Sequence, residues 1–466
     1  MKTKIKDSKY DTKIEASDWR FSAAILGLMQ YLSHHNFDFE VDDEYLLYNS
    51  QDIDEEKYLQ FIEYKYSGEL HHTVVESILS SDDISDGQVK IVNEKLIANT
   101  IMKKHFNKIK FDGSNKEQIL NIISKNRSEI AKETFGKKSN LYANYISVNM
   151  KAPIELFKEE QNYCRLVGYS CSDENRKSNS IGYNFVKNNY VSSDILEFDF
   201  IPLAFTGDRE AFFINDNFTL QRLKNTNYIL AKKVELDQGT ESKNIDARQS
   251  LFKGIIESAD FIDYDVEVIF KDKEKEYFET LYFRKDVINI LKELKNSNFN
   301  YKSICFSYKI NEKYYINIQK EVTNSILNNI VLDEIIELIL KDKEKKDRRL
   351  KNNSYLVNQL ININVLIRGD KEMKDRLKGS FACAKQVAEI LPSNKIDSYR
   401  QKLTSSIIFK DYDRVCQILL QLSNYSNIEF GFVYDLYENF EDNKDLAYTF
   451  INALSKNKDK KADENN

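Results

Sequence analysis

The sequence predicts an α+β protein, with a mixed N-terminal and central α/β region followed by an all-α C-terminal helical bundle. Three observations carry this. From about residue 355 onward, apolar residues recur at helical spacing in one segment after another. Between 194 and 318, short aromatic and β-branched runs alternate with turn residues, Pro202 and Gly207 among them. The N-terminal third sets one strongly apolar helical stretch beside alternating strand-like bursts. A chain of 466 residues that is 41% hydrophobic and 30% charged has apolar mass for a real core. At roughly 100–200 residues per domain, it is long enough for two to four domains.

Taken in order, WRFSAAILGLMQYL (19–32) is a buried helix that Ser17 or Asp18 can cap. FDFEVDDEYLLYN, which follows, alternates as strands do. Residues 76–109 and 116–135 read as helices. The run DILEFDFIPLAFTGDREAFFIND (194–216) reads as strand, as do YDVEVIF, EYFETLYF, ICFSYKI and KYYINI, with KDVINILKELKN a helix between them. Residues 321–367 read as helix, interrupted by the charged connector KDKEKKDRR, and the last five apolar segments are helical. These readings divide the chain into an N-terminal mixed domain (1–140), a central α+β domain (141–320), a helical connector (321–354), a C-terminal bundle (355–456) and a disordered tail (457–466).

The net charge of -6 argues against a chain coated in nucleic acid, but the charge is segregated. Residues 101–190 hold sixteen bases against nine acids, and residues 371–410 nine against four. Five scattered cysteines without a framework fit a reducing cytoplasm. The opening MKTKIKDSKYDTK lacks the apolar core of a signal peptide, and no run approaches 18 apolar residues, so no membrane partner is expected.

Motifs for catalysis are sparse. Cys164 and Cys171 supply two thiols where structural zinc wants four ligands, so no metal is expected there. Asp263, Asp265 and Glu267 alternate, and on a strand they share one face that suits a divalent metal. The E-x-K that nuclease chemistry favours does not follow Glu267. No phosphate-binding loop, nucleophile elbow or H-E-x-x-H is present, so no cofactor is expected. What remains is two basic loops. One carries Lys137, Lys138, Ser139, Asn140 and Asn144. The other carries Arg176, Lys177, Asn179, Asn184, Lys187 and Asn189. Lysine and arginine neutralise phosphates, and asparagine offers a donor and an acceptor to base edges. The competing reading is solvated loops in a chain rich in Lys and Asn.

Several of these pieces together resemble a known family. WRFSAAILGLMQYL, FDFIPLAFTGDREAFFINDNF and LFKGIIESADFIDYDVEVIF, with an all-helical C-terminus after them, are similar to type I-B CRISPR Cascade large subunits, the Cst branch in particular. That branch often carries paired CxxC motifs in its middle, which this chain lacks. The resemblance implies a cytoplasmic, non-catalytic subunit that recognises the motif beside a DNA target, aids R-loop formation and recruits a helicase-nuclease. Its implied partners are Cascade backbone subunits, guide RNA and target double-stranded DNA. The C-terminal helices would line the displaced strand with Lys374, Arg376, Lys378, Lys385, Lys395, Arg400, Lys402 and Lys410. Some relatives also translate a small subunit from within the large-subunit gene, and Met373, immediately before the basic stretch, permits one here, with a start nearer 355 as the competing possibility. The rival reading is a stand-alone metal-dependent nuclease using Asp263, Asp265 and Glu267. Elemental analysis of the purified protein should find no stoichiometric zinc; zinc that disappears in Cys164→Ser overturns the reading of Cys164 and Cys171.

Overall fold

The computed structural model describes residues 1–158, 165–168, 194–239, 265–342 and 353–455, apart from 6–7, 82, 99, 149–150, 208–209, 274, 276, 298, 301–302, 305–306, 311–312 and 371. The fold is α+β, with small sheets in the N-terminal and central parts and helices at the C-terminal end. It divides into two compact units, Met1–Gly254 with Asp265–Tyr282 and Ile255–Tyr264 with Phe283–Asn466.

The first unit opens with β1 (Lys2–Lys4) and β2 (Thr12–Glu15), then α1 (Trp19–His34), β3 (Glu40–Val41) and β4 (Tyr45–Tyr48). The four strands form one antiparallel sheet in the order β1-β2-β4-β3, with buried Ile14 opposite buried Leu46. β1 was not legible in the sequence, because its Lys-Thr-Lys has no apolar residue to mark a buried face. Asp18 caps α1, its Oδ1 accepting from the Arg20 N–H at 2.8 Å and the Phe21 N–H at 3.4 Å. Residues 21 to 29 are all buried, so α1 is a core helix rather than an amphipathic surface one.

A helical layer follows: α2 (Glu55–Lys65), α3 (His71–Leu79), α4 (Asp86–Leu96), α5 (Thr100–Phe106), α6 (Lys116–Lys125), α7 (Arg127–Lys137) and α8 (Tyr142–Tyr145). Residues 116–135 are two helices that meet at Asn126. α3 to α7 share a core of their own around Val75, Leu96, Met102, Phe106, Ile123 and Ile130. The second sheet, β5 (Thr206–Gly207), β6 (Glu210–Asn215), β7 (Val266–Asp272) and β8 (Phe278–Phe283), runs in that order. β6 and β7 pair antiparallel with Phe213 opposite Ile269, and α10 (Leu220–Gly239) packs against β5 and β6.

Residues 196–204, read as strand from sequence, are helical: a 3-10 turn at Leu196–Phe200 leads into α9 (Ile201–Ala204). Pro202, near the start of α9, suits a first helical turn, where its missing N–H costs nothing. The acids of this segment point inward. Asp199 Oδ1 accepts from Tyr142 Oη at 2.7 Å and Arg165 Nε at 3.2 Å, and Asp199 Oδ2 from the Phe157 N–H at 2.7 Å. Glu197 Oε1 accepts from Tyr48 Oη at 2.5 Å and Lys2 Nζ at 2.6 Å. The expected boundary at residue 140 falls inside a single core, in which Phe135, Leu141, Tyr145, Phe198 and Phe213 all belong with α1.

The second unit begins with the amphipathic α11 (Lys285–Asn296), then a two-stranded antiparallel pair, β9 (Ser307–Lys309) and β10 (Tyr315–Asn317). Among the described residues the stretch after 317 holds α12 (Ile318–Leu327), α13 (Asp333–Asp342) and α14 (Asn353–Arg368), so the part before the charged connector is two helices rather than one. Asn329, in the left-handed region at φ 52°, breaks the first from the second. The bundle continues through α15 (Met373–Ile390), α16 (Ser393–Ile408), α17 (Tyr412–Ser426), α18 (Phe432–Glu438) and α19 (Phe440–Ala453). One buried polar cluster ties α13, α14 and α19. Asn364 Oδ1 accepts from the Leu332 N–H at 2.6 Å, and its Nδ2 donates to Asp333 at 2.9 Å and Asp445 at 3.0 Å. Arg368 lies 3.4 Å from Asp445.

The packing can be tested in each unit. A Cβ on Gly27 of α1 would lie 2.1 Å from the Phe200 carbonyl oxygen, a backbone atom that cannot swing aside. Gly27→Ala should cost about 1–3 kcal/mol or more. Trp19, the single tryptophan, packs against Phe205 and Phe278 in the same unit, so its fluorescence on denaturation reports the loss; an unchanged midpoint contradicts the close approach. In the second unit, burial pushes the Asp445 carboxyl up to about 7, against the opposing pull of Asn364 and Arg368. A folded-state value raised above the unfolded one gives stability that is full below about pH 4 and lost as pH rises through about 7. Asp445→Asn should remove that slope, so that between about pH 5 and pH 8 the parent loses on the order of 2–4 kcal/mol relative to the variant. Parallel pH profiles for the two proteins rule this out.

Candidate nucleic-acid interfaces

The lysines of the first unit gather because the helical layer turns its apolar residues inward. In α6, Ile119 and Ile123 are buried while Lys125 stays outside. In α7, Ile130, Ala131, Thr134 and Phe135 are buried, leaving Ser128, Glu129, Lys132, Glu133 and Lys137 toward the surface. Two adjoining hollows of 450 and 700 Å³ lie along these helices and share Ile101, Lys104, Glu133 and Lys137 as common wall. Among the described residues they are together lined by six lysines (104, 125, 132, 137, 138 and 151) against three glutamates (55, 129 and 133), so the cleft favours an anion.

Most of these cations are also tethered. Lys104 bonds Glu129, Lys132 bonds Glu55 at 2.7 Å, and Lys137 bonds Glu133 at 2.5 Å. The hydrogen bond from Lys104 holds the Glu129 carboxyl below its usual range. Lys138 Nζ donates to the Glu69 backbone carbonyl at 2.9 Å and to its carboxylate at 3.2 Å, and Asn140 Nδ2 donates to the same carboxylate at 2.8 Å. His71 lines the smaller hollow; burial first, then Lys95 and Lys138, drives its imidazole down to about 4, so it is neutral at pH 7.

Of the residues singled out in the first basic loop, Lys137, Lys138 and Ser139 line the cleft. Asn140 is tied to Glu69 beside it. Asn144 is 4% exposed, and its Oδ1 accepts from buried Lys271 Nζ at 3.1 Å. The second loop, with Arg176, Lys177, Asn179, Asn184, Lys187 and Asn189, lies outside the described residues, as do Cys164, Cys171 and Asp263. Glu267 sits on β7 and accepts from Asn215 Nδ2 at 2.9 Å, while Asp265 precedes that strand. Lys104, Lys125, Lys132 and Lys151 were missed from sequence, because lysines spread over about 50 residues show no local pattern until the helices pack.

The second surface lies on the C-terminal bundle. Lys374, Arg376, Lys378 and Lys385 are on α15, and Lys395, Arg400 and Lys402 on α16. Lys410, at φ 56°, makes the left-handed turn into α17. Their surroundings differ. Arg376 is held by Asp370, by Asn443 Oδ1 at 3.0 Å and by Asp435 at 3.8 Å. Lys378 pairs with Asp375 at 2.7 Å, Arg400 with Asp397 at 3.8 Å, and Lys374 lies 4.0 Å from Glu293. Two others sit over aromatic rings, Lys385 over Phe381 at 5.6 Å and Lys402 over Tyr399 at 5.8 Å, while Lys395 Nζ donates to Tyr425 Oη at 2.9 Å and lies 4.6 Å from the ring centre. Phe381 and Tyr425 are exposed, and Phe409, beside Lys410, is 81% exposed. Cations interleaved with open aromatic faces are what single-stranded nucleic acid stacks upon.

These features define an α+β protein with two lysine-rich surfaces and no helix, among the described residues, long and apolar enough to cross a membrane. The model of the CRISPR-associated protein Csx8 family matches residues 10–454, nearly the whole chain, and the protein belongs to that family. No curated protein and no solved structure matches it.

Proposed function

We propose that this CRISPR-associated protein is the non-catalytic large subunit of a type I-B RNA-guided surveillance complex. It recognises the target-adjacent motif in duplex DNA, aids R-loop formation and recruits a helicase-nuclease. Family membership supports the CRISPR setting. The observation that carries the DNA-binding role is the set of lysines paired with aromatic side chains on α15 to α17, two over the ring and one bonded to the Tyr425 hydroxyl, which suits the unpaired strand an R-loop displaces. The lysine cleft of the first unit, with Lys137 and Lys138 in its wall, suits the phosphates of the duplex beside the motif. Its partners in this role are backbone subunits, guide RNA and target DNA, in the cytoplasm. A nuclease reading through Asp263, Asp265 and Glu267 is the rival, and metal-dependent cleavage by the purified chain that Asp265→Asn abolishes would favour it.

The test separates the two surfaces in the assembled complex. Replacing Lys104, Lys125, Lys137 and Lys138 with Ala should weaken duplex binding at every sequence and flatten its salt dependence, by about 0.9 in log-log slope for each phosphate no longer neutralised. Replacing Phe381, Phe409 and Tyr425 with Ala should spare duplex binding and weaken single-strand binding by about 1–3 kcal/mol per stacked base. Unchanged affinity and slope in both sets would remove the basis for the reading.

A further inference from the structure

A third hollow in the first unit, of 520 Å³, is separate from the lysine cleft and lies among α1, α2, α9, β5 and α10. Its walls are chiefly apolar, from Leu26, Met29, Leu203, Phe205 and Ala231, with Tyr228 half out of the surface. That size lies within the roughly 300–1,000 Å³ of small-molecule sites. Into these walls is set Lys65, the last residue of α2.

Lys65 is an unusual cation. Its ammonium donates to Gln30 Oε1 and to the Leu203 carbonyl, both at 2.5 Å, which uses two of its three N–H groups. No carboxylate among the described residues pairs with it. Burial alone pulls its ammonium down to about 7. Lys271 makes the contrast: that lysine, 1% exposed, gives its protons to Asn144 Oδ1, the Asp272 carbonyl and the Lys275 carbonyl. A half-buried ammonium set against apolar walls, with one N–H free of a protein acceptor and no carboxylate beside it, is costly to keep, and an anion in the hollow supplies both.

The charge of the hollow narrows the anion. Lys224, exposed on α10, is a second cation in its wall. Among the described residues its one carboxylate, Glu69, is already held by Lys138 at 3.2 Å and Asn140 at 2.8 Å. Two cations with one committed acid suit a doubly charged head, and apolar walls suit an aromatic body. We propose that this hollow binds a phosphate monoester with an aromatic body, such as a nucleoside monophosphate or the 5′-phosphorylated end of a nucleic-acid strand, with Lys65 meeting the phosphate. This goes beyond the duplex and displaced-strand surfaces and does not depend on either.

Pyridoxal 5′-phosphate is a suitable probe, being an aromatic phosphate monoester with an aldehyde. A neutral lysine amine adds to the aldehyde carbon and releases water to form an imine, and added borohydride reduces it to a stable secondary amine that peptide mass spectrometry locates. With the full chain at about pH 7.5, Lys65 should be labelled at least tenfold faster than surface lysines. AMP or a 5′-phosphorylated hexanucleotide should protect it, adenosine and the 5′-hydroxyl hexanucleotide should not, and protection by neither phosphorylated compound overturns the proposal. Protection by a 5′-phosphorylated hexanucleotide, but neither by its 5′-hydroxyl form nor by AMP, assigns the hollow to a strand end; protection by AMP assigns it to a free nucleotide. Lys224→Ala, at an exposed position that folding does not need, should weaken AMP or phosphorylated-end binding about tenfold by calorimetry, and Lys65→Met should abolish it. Labelling spread evenly over surface lysines overturns the proposal. So does protection by adenosine or by inorganic phosphate as strong as that by the protecting phosphorylated compound, or unchanged affinity in Lys224→Ala.

Discussion

Asp199 is where the first unit is held together. Its carboxylate and carbonyl collect Arg165, Tyr142, the Phe157 N–H and Tyr58, groups drawn from four stretches of the chain. Burial raises the carboxyl, while Arg165, Tyr142 and Phe157 pull the other way. Such a cluster adds little net stability over an apolar core of the same shape, yet breaking one partner leaves a buried charge uncompensated. What it supplies is position. It fixes the 196–204 helical turns against α1, and those turns bring Leu203 to Lys65 and Phe205 to Trp19. The hollow around Lys65 depends on that placement.

The second unit uses the same device with different residues. Asn364 satisfies both its donor and acceptor groups inside the bundle, binding the start of α13 to α14 and α19. With the core fixed from within, α15 and α16 turn lysines outward without folding depending on them. That division separates the lysines over aromatic rings from Arg376, whose three partners make it part of the scaffold.

Much of the architecture was legible in the sequence because it rests on local periodicity. α1 is marked by its cap at Asp18 and its unbroken apolar run, and the C-terminal helices by recurring apolar faces. The 196–204 segment was misread because its aromatic content resembles a strand, while the reason it is helical lies far off, in Arg165 and the tyrosines that donate to its acids. The candidate surfaces divide along the same line. Lys137, Lys138 and Ser139 stood out as a basic loop and do line a cleft. Asn144 looked like a base reader, yet its partner, Lys271, is on a distant strand. Lys65 gave no signal at all: what distinguishes it is the acceptor it lacks, and that exists only once Gln30 and Leu203 have come together.

The polar cluster at Asn364 also bears on where a ribosome can usefully begin. Met373 coincides with the first residue of α15, a natural place for a shorter product to start. A chain initiated there contains Asp445 and Lys444 but neither Asn364 nor Arg368, both of which belong to α14. Its α19 would present a carboxylate stripped of its donors, beside Tyr448 and Asn452, which have lost Glu337 and the Ser354 carbonyl. Initiation near 353 instead retains all of α14 and keeps both the Asn364 amide that donates to Asp445 and the Arg368 cation paired with it. Codon position and side-chain chemistry therefore point to different start sites, and the chemistry favours the earlier one.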